Sequence, residues 1–195
     1  MSFFKKLFNT PKQEDSKTDD LEFHNLPLDQ IFVKKFIKNS GKFLYCTTLK
    51  EVTNNLANII KENSWETIIC NDYDLLKLVK TVDVKISETF SNKHSLFVSC
   101  EHLIAENGSI LFSSNQLKES KIPELSENFI VYATMSQIVK SKGESLTGIK
   151  ARYKGNIPSN ISAIKNFNPN CTNEDFMSYG NTNTKNLYLL LFEDL

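Results

Sequence analysis

Arginine is almost missing from this chain. Of its 23 basic residues only Arg152 is an arginine, and the 23 acidic residues cancel the whole set. Guanidinium forks are the usual tool for bidentate phosphate and base-edge contacts, and a balanced charge leaves no long-range field to gather polyanions. Nucleic acid is therefore not an expected partner. Glycine is also scarce, with six in 195 residues, and no glycine-rich phosphate loop can be drawn from them. The four cysteines, Cys46, Cys70, Cys100 and Cys171, form no C-x-x-C pair or closely spaced run, so zinc and iron–sulfur ligation have no ligand set here. Each cysteine is expected to be a small core residue in a reducing compartment. His24, His94 and His102 share no metal-binding spacing. No metal or cofactor is implied. The start of the chain has no apolar signal core, and no apolar run reaches membrane-spanning length. A cytoplasmic location and no integral membrane segment are expected.

What is present is enough apolar material for one core. Forty per cent of the residues are hydrophobic, with fourteen Phe, more than a disordered chain carries. Residues 1–22 read as a flexible tail, because "KQEDSKTDD" has no apolar periodicity. Within it, Phe3, Phe4, Leu7 and Phe8 around Lys5 and Lys6 offer weak peripheral membrane or partner contact through residues 1–8. A single domain is expected over residues 23–195.

From Pro27 the pattern alternates. Leu28, Ile31, Phe32 and Phe36 recur at helical spacing, with Gly41 where a C-cap glycine would stand. "KFLYC" reads as a strand. Thr48 and Glu51 form a capping-box signature for a helix whose buried stripe is Val52, Leu56, Ile59 and Ile60. "ETIIC" is a second strand, and Asp72 is placed to cap a helix through Leu75, Leu76 and Val79. "VDVKIS", "SILFSS", "NFIVYAT" and "NLYLLLF" read as further strands. "SLFVSCEHLIAE" reads as a strand or helix start leading into a helical turn, and a short helix is expected near Met135 to Val139. Residues 142–185, rich in Asn, Ser and Thr, are expected to be mostly loop with some short helix. Apolar strands alternating with helices predict an α/β fold, with a largely parallel sheet covered on both faces in a Rossmann-like arrangement.

The chemistry-bearing stretch is "HLIAENGSILFSS". Its centre, Ala105-Glu106-Asn107-Gly108-Ser109, reads as a helix ending and a strand beginning, with His102 and Glu106 paired on a helix surface. Gly108 permits a positive φ or a close approach. Two readings of Glu106 stay open: a residue that shapes the turn, or a base or nucleophile, with Asn107 as an oxyanion donor.

"LIAENGSILFSS" followed by "LSENFIVYATMSQIV" resembles the LUD domain of lactate utilisation protein C, whose members carry an Ala-Glu-x-Gly-[Ser/Thr] turn ahead of an apolar strand. "FIKNSGKFLYC" and "NLYLLLFEDL" fall in matching order. The resemblance implies a fold like the glucosamine-phosphate deaminases, ribose-phosphate isomerases and CoA transferases (NagB/RpiA/CoA transferase-like). It also implies ligand binding around Ala105, Glu106, Asn107, Gly108 and Ser109, with a small organic acid or CoA ester as the ligand. The role implied is that of a non-cluster accessory subunit in lactate or organic-acid metabolism, partnered by iron–sulfur subunits of a lactate-oxidising system. The late family segment ending in His-Gly-Pro is replaced by "NPNCTNEDFMSYGNTNTKN", where only Thr172, Glu174 and Asp175 echo it. A non-catalytic binding or scaffold protein is the alternative. Glu-Asn-Gly also resembles the surroundings of the nucleophilic glutamate in CoA transferases, which would make Glu106 catalytic, but no arginine cluster accompanies it.

Overall fold

The computed structural model describes residues 26–168 and 184–194. The residue 1–22 tail, the membrane-contact reading of residues 1–8, and Cys171, Thr172, Glu174 and Asp175 lie outside the described residues. The main sheet has six strands in the order β1-β10-β7-β4-β2-β3. Its members are β1 (Lys42–Cys46), β2 (Thr67–Ile69), β3 (Lys85–Ser87), β4 (Ser95–Ser99), β7 (Asn128–Thr134) and β10 (Asn186–Phe192). Every pairing within it is parallel. The α/β architecture is that of the expected parallel sheet.

Both faces are covered, and strand residues divide between them with period two. On one side, α2 (Leu49–Glu62) and α3 (Tyr73–Val79) bring Val52, Leu56, Ile59, Leu75 and Val79 onto Ile68, Phe97, Ile130 and Leu190. On the other, α1 (Leu28–Lys38) brings Phe32, Val33 and Phe36 onto Leu96, Val98, Phe129, Val131, Leu187 and Leu189. A parallel sheet buried on both faces needs such continuous apolar runs, because each face demands its own set of alternate residues. Helix starts follow local rules. The Thr48 hydroxyl accepts from the Glu51 amide, and the Asp72 carboxylate accepts from the Asp74 and Leu75 amides.

Several expectations are corrected. "HLIAENGS" holds no helix: β5 (His102–Ile104) and β6 (Ser109–Phe112) form an antiparallel hairpin. With β8 (Ile138–Val139) and β9 (Ser162–Ile164) they make a second, four-stranded sheet. His102 is thus a buried strand residue and Glu106 an exposed turn residue, not a helix-surface pair. A four-residue apolar run does not distinguish strand from helix by period, and pairing with a distant strand decides it. Met135–Gln137 is a single 3₁₀ turn that runs into β8 rather than a short helix to Val139. The segment after residue 142 opens with a twelve-residue helix, which we label α5 (Lys142–Tyr153), capped by Ser141. It escaped the apolar pattern because its buried face is built from Ser145 and Ile149. α5 packs on the outer side of the second sheet, where Ile149 meets Ile104 and Leu111. The inner side, through Leu103, Ile110 and Phe112, joins the core of the main sheet. The short helix α4 (Ser114–Leu117) follows β6.

The end of α1 also differs from expectation. The left-handed residue there is Ser40, with φ 69°. Gly41 is needed for space, since a Cβ on it would lie 2.4 Å from the Phe36 ring. That ring is pinned between Phe32 and Phe167, with centroids 5.5 and 4.6 Å away. Gly41→Ala is expected to cost about 1–3 kcal/mol through overpacking, read as a fall of several degrees in Tm; an unchanged Tm would show that the aromatic stack can yield.

Candidate functional site

The connections of the main sheet set the site. The chain leaves β2 through α3 toward β3 on one side, and leaves β4 through the second sheet toward β7 on the other. Where neighbouring parallel strands send their connections in opposite directions, a crevice opens beyond their carboxyl ends. A cavity of about 170 Å³ lies there, lined among others by Asn71, Asp72, Phe90, Ser99, Asn115 and Lys118.

Each group has a local cause. Asn71 and Asp72 follow β2, and Asp72 is tied to the end of β4 by the Ser99 hydroxyl, which donates to Oδ2 at 2.8 Å. The same carboxylate therefore caps α3 and joins two strand ends. The Asn71 amide nitrogen is buried without a hydrogen-bond partner. Lys118 ends α4 with φ 55° and ψ −130°, a backbone conformation that L residues seldom adopt. Its ammonium stands 5.8 Å from the centre of the Phe90 ring. The cavity thus combines a cation, an unpaired amide donor, a hydroxyl, an aromatic face and the Asp72 carboxylate, whose oxygens are bonded to Ser99 and to the start of α3.

Behind the cavity lies Glu101, 1% exposed. Its Oε1 accepts from Ser113 Oγ at 2.6 Å, and from Asn115 Nδ2 and Gln116 Nε2, each at 3.1 Å. The Tyr153 hydroxyl donates to Oε2 at 3.2 Å, and Arg152 Nη1 stands 3.7 Å from the same oxygen. Burial by itself would raise the pKa of this carboxyl; the bonds from Ser113, Gln116, Asn115 and Tyr153 outweigh it and hold the group below the ordinary glutamate value. The neighbouring His102, 6% exposed, has no hydrogen-bond partner on either ring nitrogen. Burial is the main cause that holds its imidazole below the usual range.

The turn at residues 105–108 is built differently. Gly108 takes φ 69°, and a Cβ there would lie 2.6 Å from backbone atoms of Lys35 and Phe36, so the turn is pressed against α1. Main-chain bonds hold it: the Ala105 amide donates to the Val139 carbonyl, Glu106 to Lys140 and Gly108 to Ile104, each at 2.9 Å. Lys35 Nζ donates to the Glu106 carbonyl at 2.7 Å and Asn39 Nδ2 to the Asn107 carbonyl at 2.8 Å. The Asn107 side chain accepts from the Ser109 amide, and Ser109 Oγ is buried without a partner. Glu106 itself is exposed. None of Ala105, Glu106, Asn107, Gly108 or Ser109 lines the β2–β4 cavity. Sequence reasoning read Asp72 as a helix cap and missed Asn71, Ser99, Glu101, Asn115, Gln116 and Lys118, which no motif links. The only available signal was that Asn71 and Asp72 directly follow an apolar strand. The thiols of Cys46, Cys70 and Cys100 are buried and free. Burial raises all three, Cys70 to about 11, so none is a thiolate nucleophile at neutral pH.

Fold and cavity together define an α/β architecture with a parallel sheet and a small crevice at its switch point. The model of the LUD domain matches residues 30–192, and the chain belongs to that family. The solved crystal structure of a DUF162 family protein from Deinococcus radiodurans is similar, with a TM-score of 0.60 at 12% identity, over 86% of this chain and 99% of that one. At that identity the likeness speaks for the fold alone. No curated protein matches the sequence.

Two outcomes follow from this geometry. Gly108→Ala is expected to lose more than about 2 kcal/mol from a left-handed Cβ pressed on a helix backbone, whereas Glu106→Gln, on an exposed side chain, should stay within about 0.5 kcal/mol; chemical denaturation of both variants decides, and equal losses would show that the Glu106 charge holds the turn. For Glu101, a folded-state pKa below the unfolded one means that its stabilisation is present in full above the ordinary value of 4.5 and is lost as pH falls through the folded value. The stability gap between wild type and Glu101→Gln should therefore be widest at neutral pH and narrow toward pH 3. A gap independent of pH would show that the charge is not what the network holds.

Proposed function

We propose that this LUD-domain chain is a non-cluster, ligand-binding accessory subunit in lactate or related organic-acid metabolism, taking a small organic anion into the crevice beyond β2 and β4. The observation that carries the reading is that Lys118 and Asn71, whose buried amide nitrogen has no partner, line one small cavity. A carboxylate could take both, the Ser99 and Asn115 oxygens can accept from a hydroxyl, and Phe90 and Leu96 suit a short carbon chain. An unsatisfied buried donor costs about 1–3 kcal/mol, which a bound acceptor would recover. The volume is below the roughly 300–1,000 Å³ of drug-sized sites, which favours a small acid over a CoA ester held entirely inside.

The four scattered cysteines offer no iron–sulfur ligand set, so partner subunits would carry the electrons of any lactate oxidation. Among the described residues no helix is long and apolar enough to cross a membrane. A second reading keeps the Ala105–Ser109 turn as the site. It is favoured by the rigidly bonded main chain that presents Glu106 as an exposed carboxylate, either to an acyl-CoA or to a partner protein.

Calorimetric titration with L-lactate and pyruvate tests the first reading. Asn71→Leu removes a donor that has no partner, so Tm should hold or rise while affinity falls about tenfold or more, and Lys118→Met should weaken binding similarly. If both variants bind as wild type does while Glu106→Gln loses binding or acyl-CoA reactivity, the turn and not the crevice is the site. A non-catalytic scaffold would instead bind neither acid and still co-purify with cluster-bearing subunits.

A further inference from the structure

Glu101 joins two parts of the molecule, the wall of the crevice and the end of α5. Its carboxylate is bonded to Asn115 and Gln116, which line the crevice, and to Tyr153, with Arg152 alongside; Arg152 and Tyr153 are the last two residues of α5. The amide nitrogen of Asn115 and that of Gln116 are both committed to Glu101, and the Gln116 amide oxygen is committed to the Ser113 amide at 2.9 Å. The Asn115 amide oxygen is the end left for a ligand. A carboxylate only accepts, so it dictates which end of each amide faces it.

α5 is otherwise lightly seated. Ile149 is its one fully buried aliphatic residue. Beside it, Ser145 Oγ is buried without a partner, and Gly148 lies over His102, whose ring nitrogens are also unpartnered. Buried polar groups without partners offset much of what the burial of Ile149 contributes. The Tyr153 hydrogen bond and the Arg152 ion pair to Glu101 therefore matter to the docking of this helix out of proportion to their number.

We propose that Glu101 is a positioning residue that couples the docking of α5 to the arrangement of the crevice wall. With α5 seated, Tyr153 and Arg152 fix the carboxylate, the carboxylate fixes the Asn115 and Gln116 amides, and the wall is set to receive a hydrogen-bond donor on the Asn115 oxygen. A partner protein that lifts α5 loosens the wall, and by linkage a ligand that tightens the wall favours seated α5. The functional part of this inference rests on the crevice being the ligand site; the coupling itself does not.

Tyr153→Phe tests it, because it deletes one hydroxyl that does not line the crevice and keeps the ring. The side-chain amide signals of Asn115 and Gln116 in ¹H–¹⁵N spectra of the ligand-free protein should move in Tyr153→Phe and stay in place in Leu146→Ala, which alters the exposed side of the same helix. Affinity for L-lactate should fall about threefold or more in Tyr153→Phe, the fold-change expected for one lost hydrogen bond. Glu101→Asp, which keeps the charge, should restore more of the amide pattern than Glu101→Gln. Unmoved Asn115 and Gln116 signals in Tyr153→Phe would overturn the coupling, whatever the ligand result. Moved signals in a protein that binds no lactate would uphold the coupling and remove the crevice reading instead.

Discussion

The insertion of β10 between β1 and β7 is the constraint on which the rest of the structure depends. Asn186–Phe192 pairs along its whole length with Asn128–Thr134 on one side, and from Tyr188 to Phe192 with Lys42–Cys46 on the other. β1 has no other strand partner among the described residues, so without β10 the sheet would lose its first strand and the seat of α1 and α2. The strand meets this demand through composition: Leu187, Leu189 and Leu191 face one core and Leu190 the other. Because these contacts span most of the chain, they form only after a large loop has closed, a cost that local structure cannot offset.

With β10 in place, β7 is held in register beside it and β4 beside β7, and after β4 the chain passes to the face that α1 partly covers. The second sheet fills that space. Its hairpin packs inward through Leu103, Ile110 and Phe112, and its turn presses Gly108 against the backbone of α1. Two carboxylates then do most of the electrostatic work near the crevice. Asp72 binds two strand ends and a helix start at once, and Glu101 collects donors from α4 and α5. Each is buried or half-buried with its bonds made, the condition under which a charged group inside a fold stabilises rather than weakens it.

Legibility in the sequence followed the range of the interactions. The stripe of α2, its Thr48 cap, the Asp72 cap and the apolar strands β1, β2, β7 and β10 rest on spacing and on contacts within a few residues, and all appear as read. The Ala-Glu-Asn-Gly-Ser turn was legible as a turn, because Gly108 and Asn107 have local reasons to be there. Its setting was not, because a hairpin and a helix end share the same residues until a partner strand is known. Some short helix was expected after residue 142, but α5 could not be placed or its length read, since its inner face is Ser145, Gly148 and Ile149, a pattern that becomes sensible only against His102.

Taken alone, the sequence determined the α/β class, the helix caps, the absence of a clustered-cysteine ligand set and the resemblance to the LUD family, all properties of composition or of neighbours along the chain. Tertiary structure alone decided that residues near positions 71, 99, 115 and 118 meet at one crevice and that Glu101 stands behind it. Those residues come from β2, β4 and α4, and the strand order that brings them together is set by non-local pairing, which no period or motif in a single chain encodes.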